Sequence, residues 1–336
     1  MATTISVPDT DRKGRGPRVL HAVRRTRHRW QHGPAGVNLS GGSRTRRSRK
    51  VRDNLTGYAF LIGAIFCFAL FSWFPMIRGI VMSFQHTRRG VTTWVGFDNY
   101  VRIVQDPSFW TAWKNTFYFT VLALVFGYAV PFFVAIVLNE LRHAKGYLRI
   151  LVYLPVMLPP ASALFLFKYY AYDPGDAGLF NAILRFFHLP TSQWMQSPHM
   201  TMPAMVLAST WMNLGAAVLI YLAALQNIPG ELYEAAEIDG AGVLRRIWNV
   251  TIPQTRLILA LMAMLQIVAT MQVFIEPLIL ANGAGTQDSA TVVAYLIYQH
   301  GFFQNDLNGA AALGVIMLLV LAAFSAVYLR LTTRQD

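Results

Sequence analysis

Long apolar runs separated by short polar segments dominate the chain from about residue 56 onward. A helix needs about 20 apolar residues to cross a hydrocarbon layer about 30 Å thick. Six runs reach that length: 56–77, 115–138, 148–170, 202–226, 257–281 and 309–329. The pattern therefore predicts an all-α membrane protein with six transmembrane helices.

Composition agrees with this prediction. The 336 residues are 54% hydrophobic and 13% charged, whereas soluble domains carry about 25% charged residues. With a single cysteine, Cys67, the chain has no intramolecular disulfide and no cysteine-based metal site.

The net charge of +13 is concentrated at one end, because about half of the 29 Lys and Arg residues lie before residue 53. Such a segment fits either a nucleic-acid-binding arm or a disordered cytosolic tail that sets topology and touches anionic lipid. A span follows directly and no aromatic stacking platform accompanies the arginines, which favours the tail and argues against nucleic acid. We therefore divide the chain into a disordered basic tail, 1–53, and a transmembrane domain, 54–334.

The distribution of Lys and Arg between the connections predicts orientation. With the amino terminus inside, the outer connection 282–308 contains no Lys or Arg, as the positive-inside rule requires. Both termini and the connection 227–256 are then cytosolic. The two long outer connections, 78–114 and 171–201, are expected to form short helices at the membrane interface.

One polar segment, NIPGELYEAAEIDGAGVLRRIWNVTIP (227–253), interrupts the apolar second half. Pro229 suits a first helical turn, and Gly240 and Gly242 end that helix. A second short helix is expected to end before Pro253. Its apolar side chains are expected to lie against the spans: Val243, Leu244, Ile247 and Trp248. From the residues alone, the segment fits either a docking surface or an amphipathic hairpin on the bilayer.

EAAEIDGAG followed by VTIP resembles the EAA loop of binding-protein-dependent ABC importers. The matching residues are Glu234, Ala235, Ala236, Asp239, Gly240, Ala241, Ile252 and Pro253. The resemblance implies a cytosolic EAA coupling helix seated in a cleft of an ATPase subunit. Ile247 stands where the family often has Phe, and the second proline usual after Pro253 is missing. Residues 54–331 also resemble carbohydrate-importer permeases of the maltose type, in particular the first of their two permeases.

This resemblance implies a multi-pass permease of the bacterial plasma membrane in an ATP-driven importer of a disaccharide or oligosaccharide. Its partners would be a second permease subunit, two ABC ATPase subunits and an extracytoplasmic sugar-binding protein. The chain contains no GxxxxGK[ST] sequence, so ATP and Mg would bind to the ATPase. We expect no catalytic residue, metal or cofactor in this chain, which is not an enzyme.

Polar residues within the spans predict a pathway. Ser209 and Asn213 share a helix face, as do Gln266 and Thr270. Such groups either bind sugar hydroxyls or join neighbouring helices. The resemblance implies contacts at Ser209, Met212, Asn213, Gln266, Ala269, Thr270 and Val273, with Val156 and Pro160 as further candidates.

Glu276 is an unusual charge in the fifth apolar run. It fits either an ion site, which would favour a self-contained secondary transporter, or an acid at the outer interface. The run from Leu257 already has the length of a span, which favours the interface, and Lys168 is interpreted in the same way. A secondary transporter would also have paired broken helices, whereas only the third run, with its three prolines, is expected to be broken.

Overall fold

A computed structural model describes residues 57–58, 61–141, 145–175 and 177–332. The chain forms two units, Met1–Ile65 and Phe66–Asp336; the described residues of the first are helical. The predicted basic tail lies outside the described residues. The helices are α1 (Leu61–Ser83), α2 (Asp98–Gln105), α3 (Pro107–Glu140), α4 (Gly146–Met157), α5 (Pro160–Ala171), α6 (Leu179–Phe186), α7 (Pro198–Gln226), α8 (Gly230–Ile238), α9 (Val243–Met271), α10 (Ile275–Leu280), α11 (Val293–Tyr298) and α12 (Leu307–Thr332).

Five of these helices, α1, α3, α7, α9 and α12, are long and apolar enough to cross a membrane. The pair α4 and α5 makes a sixth span if it is counted as one, with a bend of 100° between its halves. The all-α prediction is confirmed, and the third run is broken as expected.

The break between α4 and α5 follows from two consecutive prolines. A residue that precedes proline is driven out of the helical region by the proline ring. Leu158 precedes Pro159 and is extended (φ −77°, ψ 139°), and Pro159 precedes Pro160 and is also extended (φ −56°, ψ 129°). These two extended residues in succession produce the 100° bend between α4 and α5.

Three other prolines are tolerated inside long helices because a π turn precedes each of them. The turns Ala69–Trp73, Leu124–Tyr128 and Ile247–Thr251 come before Pro75, Pro131 and Pro253. In each case the residue four positions before the proline, whose carbonyl would clash with the ring, lies inside the π turn. The predicted end of a helix before Pro253 is therefore wrong, since α9 runs unbroken from Val243 to Met271.

The fifth span also ends earlier than predicted. The expected run 257–281 is divided after Met271, and α10 is a separate short helix. Pro277 has no N–H, and its ring would clash with the Val273 carbonyl in a continuous helix. The chain instead turns at Phe274 (φ −140°) and restarts so that Pro277 lies in the first turn of α10.

The connection 78–114 contains a β-hairpin that the sequence did not lead us to expect. Strand β1 (Gln85–Arg88) pairs antiparallel with β2 (Val91–Trp94). Arg89 and Gly90 both have positive φ, 51° and 82°, as a two-residue hairpin turn requires. The helices expected in the connections are present as α2 and α6.

Helix α7 lies at the centre of the bundle and packs against α3, α4 and α5. Its closest approach is to α4 at Gly215, where an added Cβ would lie 2.6 Å from the Val152 carbonyl oxygen and 2.7 Å from Tyr153 Cα. Tyr172, just after α5, donates a hydrogen bond of 2.6 Å to the Ala204 carbonyl of α7. These contacts hold both halves of the broken span against α7.

Candidate functional site

A cavity of about 380 Å³ lies between α3, α7, α9 and the segment that joins α9 to α10. Its size falls within the range of small-molecule sites, about 300–1,000 Å³. The lining residues are Phe119, Ala123, Gly127, Ser209, Thr210, Asn213, Ala217, Gln266, Ala269, Thr270, Gln272, Val273, Phe274, Ile275 and Glu276.

Most of the residues predicted to form the pathway meet at this cavity. It is lined by Ser209, Asn213, Gln266, Ala269, Thr270 and Val273. Met212 does not line it and packs on a hydrophobic cluster around Phe167. Val156 and Pro160 also lie elsewhere: Val156 faces Gly215, and Pro160 is exposed at the start of α5.

The polar side chains of the wall are held by bonds to their own helices. Asn213 Nδ2 donates to the Ser209 carbonyl (2.9 Å), and Thr270 Oγ1 donates to the Gln266 carbonyl (2.7 Å). The Gln266 amide reaches the Ala123 carbonyl of α3 at 3.5 Å, which is the limit of a hydrogen bond. These bonds use donors and leave the side-chain amide oxygens available, so the wall can accept hydrogen bonds from a ligand.

Glu276 is part of this wall. It is buried, with 8% of its surface exposed, and Ser209 Oγ donates to its Oε1 at 2.8 Å. No Lys, Arg or His within the described ranges forms an ion pair with it. The carboxylate that the sequence interpretation placed at the outer interface therefore lies in the cavity wall, next to a predicted pathway residue.

Sequence reasoning missed the contribution of α3. Phe119, Ala123 and Gly127 come from the face of α3 that meets the cavity. A Cβ at Gly127 would lie 2.9 Å from Gln266 Nε2 and 3.2 Å from Thr210 Oγ1, so the glycine makes room for both side chains. The sequence signal that could have indicated this contribution is Gly127 itself, a glycine within an apolar run and four residues before Pro131.

The predicted coupling segment forms α8, an exposed turn and the first residues of α9, which we together call the elbow (residues 230–246). Gly240 has φ +74°, a conformation that costs other residues energy. The Gly240 N–H donates to the Glu237 carbonyl and the Ala241 N–H to the Ala236 carbonyl, both at 2.9 Å. This pair of bonds is the Schellman helix end, and it sets the direction in which the chain leaves α8.

Two side-chain contacts tie α8 to the beginning of α9. Arg246 forms a salt bridge with Glu237, and the hydroxyls of Tyr233 and Thr251 share a hydrogen bond of 3.1 Å. Helix α8 is therefore joined to the first turns of α9 at two points.

The surface of the elbow is accessible and includes several small side chains. Glu234, Ala235 and Asp239 are exposed, Ala236 and Ala241 are half-buried, and Ile238 is 87% exposed. The expectation that the second helix packs on the spans is right for Ile247, which contacts a hydrophobic cluster of α3 and α7. It is wrong for the three others, which are exposed within the chain: Val243, Leu244 and Trp248.

Lys168 lies near the end of α5 and joins it to the chain that follows α9. Its Nζ donates to the Ile279 carbonyl (2.6 Å) and to Asn282 Oδ1 (2.5 Å). It also lines a second cavity of about 420 Å³ with Tyr172 and Asp173. In the part of the chain that the structure describes, no three His, Cys, Asp or Glu side chains group as metal ligands would.

Comparisons with known proteins agree on one family. A model described as "Binding-protein-dependent transport system inner membrane component" matches residues 132–336. The arabinooligosaccharides transport system permease protein AraP of Halalkalibacterium halodurans is 32% identical over 82% of this chain and 87% of its own. The sn-glycerol-3-phosphate transport system permease protein UgpA of Yersinia pestis is 32% identical over 72% and 81%. A chain in the crystal structure of a bacterial alginate ABC transporter, in complex with its alginate-pentasaccharide-bound periplasmic protein, superposes with a TM-score of 0.74, at 25% identity over 85% of this chain and 96% of that one.

Proposed function

We propose that this chain, which belongs to the family of binding-protein-dependent transport system inner membrane components, transports a disaccharide or an oligosaccharide. The chain is a multi-pass permease subunit of an ATP-driven importer in the plasma membrane and, as a transport protein, is not an enzyme. Amide and hydroxyl groups beside aromatic Phe119 and Phe274 suit sugar rings, which present hydroxyls and apolar C–H faces. The relatives named for arabinooligosaccharides and alginate support the same substrate class.

Coupling of this cavity to an ATPase rests on one observation, the continuity of α9. This helix begins at Val243 in the elbow and reaches Gln266, Ala269 and Thr270 in the cavity wall without interruption. At about 1.5 Å per residue, the 23 residues from Val243 to Gln266 span about 35 Å. One continuous helix thus joins the exposed elbow to the cavity.

In the proposed assembly, the chain pairs with a second permease subunit, and each permease seats its elbow on one of two ABC ATPase subunits. Both termini and the elbow face the cytosol, and an extracytoplasmic sugar-binding protein delivers the substrate to the opposite side. ATP and Mg bind to the ATPases, and this chain needs no cofactor. ATP-driven approach of the ATPases would push on α8 and, through Arg246 and Thr251, tilt α9 and turn the cavity outward.

The residues proposed to contact the ATPase include Glu234, Ala235, Ala236, Asp239, Gly240 and Ala241, with Ile252 and Pro253 setting the path into α9. Ala235→Trp adds bulk to the exposed side of α8 without changing a helical backbone position. Overpacking a fitted surface costs about 1–3 kcal/mol, so we expect uptake of labelled arabino-oligosaccharide by a strain with the complete importer to fall about tenfold or more.

Ala235→Ser is the matched control, because it keeps the small volume and should transport normally. Membrane insertion and the thermal stability of the purified importer should be unchanged in both variants. Normal uptake by Ala235→Trp would show that α8 is not a docking surface. A cysteine placed at Gly242 that reacts with an impermeant reagent from outside the cell would overturn the orientation.

A further inference from the structure

The cavity wall contains a feature that bears on which sugars it accepts. Among its described lining residues, Glu276 alone carries an ionisable side chain. The only side-chain partner of its carboxylate within the described ranges is the Ser209 hydroxyl. A buried carboxylate without an ion pair is unfavourable unless hydrogen-bond donors satisfy it.

A carboxylate has about four acceptor positions; the Ser209 hydroxyl fills one and the backbone N–H of Glu276 another. The neighbouring Asn213 and Thr270 side chains donate to backbone carbonyls of their own helices and not to Glu276. A ligand rich in hydroxyls would fill the remaining positions. Hydrogen bonds to an ionised acceptor are about twice as strong as those between neutral groups.

We propose that Glu276, held by Ser209, is the hydroxyl-accepting element of the sugar site and makes this cavity select neutral saccharides over uronates and sugar phosphates. This inference rests on the proposed sugar transport and narrows it. An anionic ligand would face an unscreened carboxylate at short range, with no lining cation among the described residues to offset the repulsion. The substrates named for the relatives include neutral and acidic ones. The comparisons therefore do not indicate the charge of the substrate, and the inference rests on the cavity of this chain.

Charged thiol reagents test the electrostatic half of the proposal without any substrate. Cys67, the sole cysteine, is first replaced by Ser, and Ala269→Cys then places one thiol at an exposed position of the cavity wall. In the purified importer, a cationic methanethiosulfonate should react faster than an anionic one. Glu276→Gln should lower this preference about tenfold.

Glu140→Gln is the matched control, because Glu140 is exposed and lies outside this cavity; it should leave the rate ratio unchanged. If the ratio in the parent protein equals that of Glu276→Gln, the cavity carries no effective negative charge and the proposal is overturned.

Protection of the same thiol by bound sugars tests the second part of the proposal, the selection of neutral saccharides. Neutral arabino-oligosaccharides should slow the labelling of Ala269→Cys, galacturonate oligomers of equal length should not, and Glu276→Gln should reduce this difference. Equal protection by both sugars in the parent protein would overturn the selectivity while leaving sugar transport intact. Protection by neither sugar, together with a normal charge preference in labelling, would instead count against the proposed sugar substrate.

Discussion

The elbow and the cavity are built in opposite ways, although α9 connects them. The elbow is local: its helix end, its left-handed glycine and its salt bridge all lie between residues 236 and 246. The cavity is assembled from distant segments, since Glu276 meets Ser209 67 residues away and Gly127 meets Gln266. A local structure can be exposed and still keep its shape, whereas a non-local one depends on how the whole bundle packs.

The largest expected effect comes from separating the helices behind the cavity. Gly215→Ala would place a methyl group 2.6 Å from the Val152 carbonyl oxygen, and backbone cannot move aside as a side chain can. We expect a loss of stability of about 1–3 kcal/mol, seen as a lower unfolding temperature by intrinsic fluorescence in detergent.

Gly314→Ala is the control for this change. Gly314 is also a glycine of a spanning helix, α12, but no atom lies within 4 Å of an added Cβ. Its unfolding temperature should match that of the parent protein. If both variants unfold alike, the close approach of α7 and α4 does not support the bundle.

The second prediction concerns the link between the two regions. Arg246→Glu places two acids side by side at the Glu237 contact. The pair is partly exposed, so stability should change by less than about 1 kcal/mol, but uptake should fall severalfold because α8 and α9 separate. Exchanging the charges with Glu237→Arg in addition should restore most of the uptake. An additive double variant, measured as a double-mutant cycle, would show that the salt bridge transmits nothing.

The third prediction concerns the turn at Gly240 and tests whether the elbow changes independently of the cavity. Gly240→Ala forces a methyl-bearing residue into positive φ at a cost of about 1 kcal/mol, with no steric contact within 4 Å. Hydrogen exchange of residues 230–241 should rise about fivefold while that of 266–276 stays constant. Gly240→Asn, which tolerates this conformation, should exchange like the parent protein. Faster exchange in both segments would mean that the elbow is not an independent unit.

The same contrast explains what the sequence could predict. The end of α8 at Gly240 and the break at Pro159 depend on one or two residues, so they were visible in the sequence. The hairpin had a signal in Arg89-Gly90 followed by Val91-Thr92-Thr93, but Arg-Gly is a less usual pair for such a turn than Asn-Gly.

The contact between Glu276 and Ser209 had no local signal. A count of apolar residues from Leu257 predicted one long span, whereas Pro277 moves Glu276 into a separate helix and turns it toward α7. Gly127 was missed because the side chain for which it makes room, that of Gln266, belongs to another helix. The predicted pathway residues converge because i, i+4 spacing fixes a helix face, but the choice of facing helices is a property of the packed bundle.

The smallest expected effect, and the most specific, comes from Gly127→Ala. The new methyl would lie 2.9 Å from Gln266 Nε2, the end of a flexible side chain that can turn away. Stability should therefore change by less than about 1 kcal/mol, but the displaced amide would enter the cavity and raise the KM for uptake severalfold. Gly79→Ala in α1, with no atom within 4 Å of an added Cβ, should change neither quantity. In a Gln266→Ala background the obstructing amide is gone, so the effect of Gly127→Ala on KM should disappear; an unchanged effect would mean that the glycine acts through α3 itself and not through the cavity wall.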